Sequence, residues 1–229
     1  MPPASPHPLR VEATLDPRLT RWMWLVKWLL AVPHYVVLFF LQIAFLLVSV
    51  VAFFSILITG RYPRPLFDFN VGVIRWKTRV DYYASVVLGT DEYPPFTLKD
   101  VPGYPVHVDV AYPARLSRGL VLVKWLLAIP QFLVIAVLVG GGLTTYRYLQ
   151  HYGPLSFGVI GLLSLIAAVI LAFTGTYPRG LFDLLMGLVR WMLRVIVYVF
   201  LMTDRYPPFR LDAGGREPAP GAVQPAGGG

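Results

Sequence analysis

Two sets of charged side chains recur in this 229-residue chain at one spacing. Asp68, Arg75 and Arg79 stand at i, i+7 and i+11, and Asp183, Arg190 and Arg194 repeat the pattern. At about 100° per residue an α-helix places the members of each set on one stripe. Such a stripe suits two kinds of chemistry. At a membrane surface its guanidinium groups meet anionic headgroups; folded inward they join carboxylates in a buried ion-pair network of the kind transporters use. Seven residues of helix rise, about 10.5 Å, keep Asp68 from pairing with Arg75 along one helix. Asp68 either favours the positive amino end of its helix or pairs across the molecule, Asp68 with Arg190 and Asp183 with Arg75. The first arrangement is preferred.

Catalytic signals are thin elsewhere. His7, His34, His107 and His151 are scattered, none at metal-ligand spacing. Neither a nucleophile elbow, a phosphate loop nor a dinucleotide fingerprint is present. Zero cysteines remove thiolate catalysis and cysteine-held metals. The expectation is a protein that is not an enzyme, with no catalytic residue, no metal and no cofactor. His34 is the exception worth noting, because it stands in an apolar segment; its repeat counterpart is Gln131, which favours a structural role at a helix kink. His107 is expected to face water from a strand, and Gly140, Gly141 and Gly142 to break a helix.

The chain is 56% hydrophobic and 14% charged, with a mean hydropathy of +0.62. Soluble domains carry roughly a quarter charged residues, so a membrane protein is expected. The net charge of +8 is too thinly spread for nucleic acid to be the partner. Residues 1–18 lack the apolar core of a signal peptide. Residues 1–7 are expected to be flexible, and the Gly, Pro and Ala of 212–229 to form a disordered tail.

An internal duplication organises the rest. LTRWMWLVKWLLAVP from Leu19 recurs as LSRGLVLVKWLLAIP from Leu116; TGRYPRPLFDF from Thr59 recurs as TGTYPRGLFDL from Thr174; TDEYPPFTL from Thr90 recurs as TDRYPPFRL from Thr203. The offsets are 97, 115 and 113, so the second copy carries 18 extra residues between its two apolar stretches. Repeat 1 is placed at 8–99, a linker at 100–104 and repeat 2 at 105–211.

The V-K-W-L-L-A-I-P run, the Y-P-R-G-L-F-D motif and the closing T-D-R-Y-P-P-F resemble the bacterial and archaeal membrane proteins called domain-of-unknown-function family 4389. The motif residues here are Arg61, Tyr62, Pro63 and Arg64, and Tyr177, Pro178 and Arg179. Pro65 replaces the usual Gly, and Thr176 the usual Arg. The resemblance implies an integral membrane protein, often duplicated, and brings no activity or catalytic residue.

Each repeat changes character along its length. Leu9, Val11 and Ala13, and Val106, Val108 and Val110, alternate with polar residues as half-buried strands do. Trp28 to Thr59 holds no Asp, Glu, Lys or Arg, and as one helix it would run about 48 Å against a bilayer core of about 30 Å. It is therefore either one tilted helix after an interfacial segment broken at Pro33, or a hairpin turning near Phe40 to Phe45. The second copy, where TTYRYLQHYGP divides the apolar matter, favours the hairpin. Two spans per repeat leave all Lys and Arg except Arg147 on one side, as the positive-inside rule asks; six spans would invert the repeats. The stripe segment is expected to be an amphipathic interfacial helix, with Lys77 and the arginines snorkelling to headgroups and Trp76, Phe69 and Val73 in the acyl region. All six Trp lie near Lys or Arg, as in an interfacial belt. The Pro-Pro pairs turn the chain, and Phe96 to Leu98 and Phe209 to Leu211 are placed to pair with the opening strands.

The expected fold is mainly α and integral to the membrane. It is a tandem repeat of strand, transmembrane helical hairpin, interfacial amphipathic helix and strand, with about four membrane spans and a small cytoplasmic β element. Both termini are expected on the cytoplasmic side of the inner membrane. The leading function is a non-enzymatic scaffold or accessory subunit holding anionic lipid or a protein partner on its basic, Trp-rich face. A small-solute or ion transporter is the runner-up and a lipid-directed enzyme the third. Gly161, Ser164, Ala167 and Ala168 suggest a close helix contact with a second copy or a larger membrane complex.

Overall fold

The computed structural model describes residues 7–140 and 158–211. The expected tail, the N-terminal residues before His7, and the segment with Gly141, Gly142, Arg147 and His151 lie outside the described residues.

Strand β1 (Leu9–Ala13) pairs antiparallel with β2 (Val106–Val110), Leu9 opposite Val110 and Val11 opposite Val108. Val11 and Val108 are equivalent residues of the two repeats. Their facing each other puts a pseudo-two-fold axis between them, normal to the sheet. The alternation works as expected: Leu9, Val11, Val106, Val108 and Val110 are buried on one face, while Arg10, Glu12 and Asp109 are exposed on the other and His107 half-exposed. The segments after the two YPPF turns are not strands. β1 and β2 satisfy each other, and the carbonyls of Thr97 and Arg210 accept from arginines instead.

In repeat 1 a short helix α1 (Trp24–Leu30) leads into α2 (Val32–Thr59), which runs unbroken for 28 residues. The expected hairpin turn near Phe40 to Phe45 is absent. LFFLQIAFLL holds no residue that breaks a helix, whereas Pro33 in the first turn of α2 lacks the N–H that would bond back into α1, so the break falls at Ala31. Gly60, left-handed at φ 70°, closes α2. Helix α3 (Arg64–Val80) starts after Pro63, returns along α2 and ends in a π-helical turn, Asp81–Ser85.

Repeat 2 has α4 (Arg118–Leu127), α5 (Ile129–Val139), α6 (Val159–Thr174) and α7 (Arg179–Val199). Its apolar stretch is not a hairpin with a lengthened turn either. Leu138 and Ile135 of α5 pack on Trp191 as Leu41 and Leu38 of α2 pack on Trp76. Ser164, Ala167 and Leu171 of α6 are buried as Ser49, Ala52 and Ile56 of α2 are. The position of a Cβ on Gly158 lies 2.2 Å from the carbonyl carbon of Val139. So α6 begins where α5 stops, and the two are parts of one interrupted helix. Gly140, left-handed at φ 85°, closes α5.

The layers follow. β2 packs on α3 and β1 on α7, α2 runs along α3, and α6 along α7. The middle layer, α3 and α7, is largely buried; α2, α5 and α6 expose most of their apolar side chains. The C-terminal end of α2 is tied to the segment that leaves β2: Leu116 N donates to Gly60 O at 2.9 Å. Tyr93 OH donates to Leu30 O at the end of α1 at 3.2 Å, and Asp16 N, just past β1, donates to Gly89 O at 3.0 Å. Helix α2 is long and apolar enough to cross a membrane; α4 and α5 pass the same test only as a pair bent by 43°.

Candidate functional site

Helices α1 and α4 are inside out. Lys27 and Lys124 are 1% and 0% exposed, while their neighbours Trp28 and Trp125 are 58% and 62% exposed. Each lysine is clamped by the T-D pair at the end of its own repeat. Lys27 Nζ lies 2.7 Å from Asp91 Oδ1 and donates to Thr90 O at 2.8 Å, and the second carboxylate oxygen accepts from Thr20 N at 2.6 Å. In repeat 2 Lys124 Nζ is 2.8 Å from Asp204 Oδ1 and donates to Thr203 O at 2.7 Å, with Ser117 N on Asp204 Oδ2 at 2.7 Å. Tyr83 and Tyr198 offer ring faces to the two ammonium groups at 5.4 and 5.3 Å. Burial pushes the Asp91 carboxyl up, but the bonds from Lys27 and Thr20 outweigh it and hold it below the usual carboxylate range. Just before each T-D pair stands a leucine in the left-handed region, Leu88 at φ 57° and Leu201 at φ 65°. A leucine there costs about 1–3 kcal/mol, and both are buried.

Sequence reasoning missed these clamps, although a repeated lysine inside an apolar run and a repeated Thr-Asp were both signals for them. The stripe it singled out does something else. Arg75 Nε donates to Val108 O at 2.8 Å and Arg190 Nε to Val11 O at 3.2 Å, so each repeat's helix holds the other repeat's strand. Arg75 also meets Asp109 at 3.0 Å. Arg79 and Arg194 are buried and donate to the carbonyls of Thr97 and Arg210, the latter at 2.8 Å. Asp68 and Asp183 stand away from them, both exposed. Asp68 neither caps its helix, whose first residue is Arg64, nor reaches Arg190; it meets Arg64 at 3.8 Å. Nor does α3 present Trp76 and Val73 to lipid: both are buried, Trp76 donating to His34 Nδ1 at 3.1 Å. The carbonyls of the sheet edge and the YPPF turns supply the arginines' acceptors, and the apolar side of α3 is covered by α2.

The motif residues serve the helix starts. Pro63 and Pro178 are the N-caps of α3 and α7. Tyr62 is buried, its hydroxyl accepting from Asn70 at 2.8 Å, and Tyr177 OH donates to Val87 O at 2.6 Å. Arg61, Arg64 and Arg179 are exposed, with Arg64 over the Tyr112 ring at 4.7 Å. His34 is buried, stacked on Phe96 at 3.9 Å. Its counterpart Gln131 donates to Pro207 O at 3.1 Å. Both thus tie the first turn of the apolar helix to the YPPF segment. His107 faces outward and meets Asp100 at 3.2 Å. Ser164, Ala167 and Ala168 are buried within the chain itself, against α7 and Val86, so they are not open to a second copy.

Fold and clamps together define a class: a mainly helical, duplicated protein with a two-stranded sheet, a helix long enough to cross a membrane, and a buried lysine–aspartate pair in each repeat. The chain belongs to the family described as Domain of unknown function (DUF4389), whose profile matches residues 21–97 and 155–210. No curated protein and no solved structure matches it.

Proposed function

We propose that this protein is a non-enzymatic membrane scaffold or accessory subunit that holds anionic lipid or a protein partner on its basic face. The observation that carries this is the inversion of α1 and α4. A helix that hides its lysine and presents Trp, Leu and Val outward is arranged for a surrounding medium that is apolar. Exposed side chains of α2, such as Phe39, Phe40, Leu47, Val51 and Ile58, and Leu133, Val137, Leu162 and Phe173 of α5 and α6, extend that surface far beyond what a soluble monomer shows.

In place of four spans, the apolar layer is assigned to one leaflet. The C-terminal end of α2 is tied to the segment leaving β2, and the pseudo-two-fold is normal to the sheet. That supports helices lying across the axis, with the sheet and both termini on the cytoplasmic side. Inverted crossing would instead carry the charged outer face of the sheet, Arg10, Glu12 and Asp109, to the level of the bilayer centre, at about 2.5–3.5 kcal/mol per charge. Engagement of Arg79 and Arg194 with backbone carbonyls supports the scaffold over the transporter, which needs them in a water-filled cavity.

The test is side-specific labelling. Single cysteines at Arg18 and Arg64, near opposite ends of α2, are expected to be shielded from an impermeant thiol reagent in intact cells and to react in inverted vesicles. Reaction of one of the two from outside would establish a crossing and overturn this placement. A partner in the membrane, a second copy or a larger complex, would show as mass above the monomer in native nanodiscs.

A further inference from the structure

Arg61, Arg115 and Arg118 line one open cavity of about 420 Å³, together with Thr59, Gly60 and Leu116. Arg61 follows the end of α2, and Arg115 and Arg118 precede and open α4, so the cavity sits where two repeats meet. None of the three guanidinium groups has a carboxylate partner among the described residues, and no carboxylate lines the cavity. Three unneutralised arginines converging on so small a volume repel one another unless an anion joins them. The helix dipoles oppose each other there, α2 ending and α4 beginning, so the side chains decide the sign.

The pseudo-two-fold supplies an internal control. The equivalent place, at the end of α6, has Thr176 for Arg61, Arg18 for Arg115 and Arg21 for Arg118. Its cavity is lined by Asp16 and Asp183 as well as Arg179. Arg21 lies directly on the cap glycine, with its Nε 2.6 Å from where a Cβ of Gly175 would be, against 3.5 Å for Arg118 at Gly60. The cavity at Gly175 is the larger of the two, about 660 Å³, so charge and not space separates the two ends: carboxylates line one, and arginines are the only charged groups lining the other. Beside the basic end the apolar surface continues through exposed Ile58 of α2 and Leu122 of α4.

We propose that Arg61, Arg115 and Arg118 form a binding site for an anionic phosphate group, with a phospholipid headgroup as its source and the acyl chains along Ile58 and Leu122. This rests on the membrane placement above. Guanidinium suits it because its planar fork bonds two phosphate oxygens at once.

Full-length protein in nanodiscs of mixed phosphatidylcholine and phosphatidylglycerol is released and weighed by native mass spectrometry. Wild type is expected to retain phosphatidylglycerol over phosphatidylcholine. R61Q/R115Q/R118Q is expected to lose that preference by roughly a hundredfold, about tenfold or less per charge near an anionic surface. R18Q/R21Q/R179Q, which removes equal charge at the equivalent place, is expected to keep it. R115Q alone, at an exposed position, should lose several-fold and guards against misfolding of the triple variant. Competition by glycerol phosphate, with no preference among lipids, would keep the phosphate site and reassign its source to a soluble anion. Equal losses in the two triple variants, or a wild type that neither prefers phosphatidylglycerol nor binds glycerol phosphate, would overturn the site. Flotation with neutral phosphatidylcholine vesicles separates the two readings: a chain that fails to float refutes the membrane placement, whereas one that floats but neither prefers a headgroup nor binds glycerol phosphate refutes only the site.

Discussion

Arg75 of the first repeat donates to the carbonyl of Val108 in the second, and the pseudo-two-fold returns the bond from Arg190 to Val11. Neither repeat therefore completes its own middle layer, because each helix is fastened to the strand of the other. Replacing Arg75 or Arg190 with Gln should cost about 2 kcal/mol each, the worth of a charged hydrogen bond. Arg79→Gln and Arg194→Gln, which change buried groups, should cost about 3 kcal/mol or more. Chemical unfolding in detergent measures all four; costs near zero would show that the sheet is held by its own ladder alone.

The clamps make a sharper case. Asp91→Asn leaves the Lys27 ammonium buried without its counter-charge, which typically costs about 3–5 kcal/mol. Lys27→Met combined with Asp91→Asn should recover most of that loss, since replacing a buried pair by apolar matter is often neutral. A double-mutant cycle gives the coupling, and Lys124 with Asp204 should behave alike. Additive losses would mean that lysine and aspartate do not act as a pair.

Acid should find the same contact. The Asp91 carboxyl titrates below its unfolded value, so its contribution is fully present above that value, near pH 4, and is lost as pH falls further through the folded value. Melting temperature followed downward from pH 6 should drop below about pH 4, and less so in D91N/K27M. An identical acid limb in wild type and variant would assign the effect to other carboxylates.

Much of this architecture was legible in the residues. Period-two alternation located both strands, a break at Pro33 was one of the two readings of the apolar run, and the offsets exposed the duplication. The hairpins misled because an apolar run reports burial in lipid or protein without its direction, and a later copy split by an insertion looked like two helices. The stripe residues do lie within two helices, α3 and α7, but spacing along a helix says nothing of what lies opposite. Val108 and Val11 are 33 and 179 residues from their arginines. The clamps were missed for a related reason: the lysines' partners come 64 and 80 residues later, and only the fold brings them to the inner side of α1 and α4.

The interrupted helix can be mended. Removing residues 140–157 would place Gly158 after Val139 and leave a helix of 28 residues, the length of α2. Its counterpart in α2 is Ile43, so Gly158→Ile should be added to restore helix propensity, Gly costing about 1 kcal/mol in a helix interior. The shortened chain should float with neutral vesicles as wild type does and show higher helical ellipticity per residue. Aggregation or loss of flotation would show that α5 and α6 are not two parts of one helix.

Charges placed on the outer layer should separate folding from membrane attachment. Leu47 of α2 and Leu126 of α4 are exposed in the isolated chain at 63% and 68%, so Leu47→Asp and Leu126→Asp break no internal contact of consequence. If that surface faces lipid, each aspartate at depth costs about 2.5–3.5 kcal/mol of attachment, while unfolding in detergent, where the charge can reach water, changes little. The same change at Ala167, buried at the α6 and α7 contact, should abolish folding in both media. A control on the water face, Glu12→Gln, should alter neither. Flotation with vesicles and unfolding in detergent are then read side by side. Normal flotation of both leucine variants would mean that the exposed apolar surface meets protein and not lipid, and the partner would have to be sought on α1, α2 and α4.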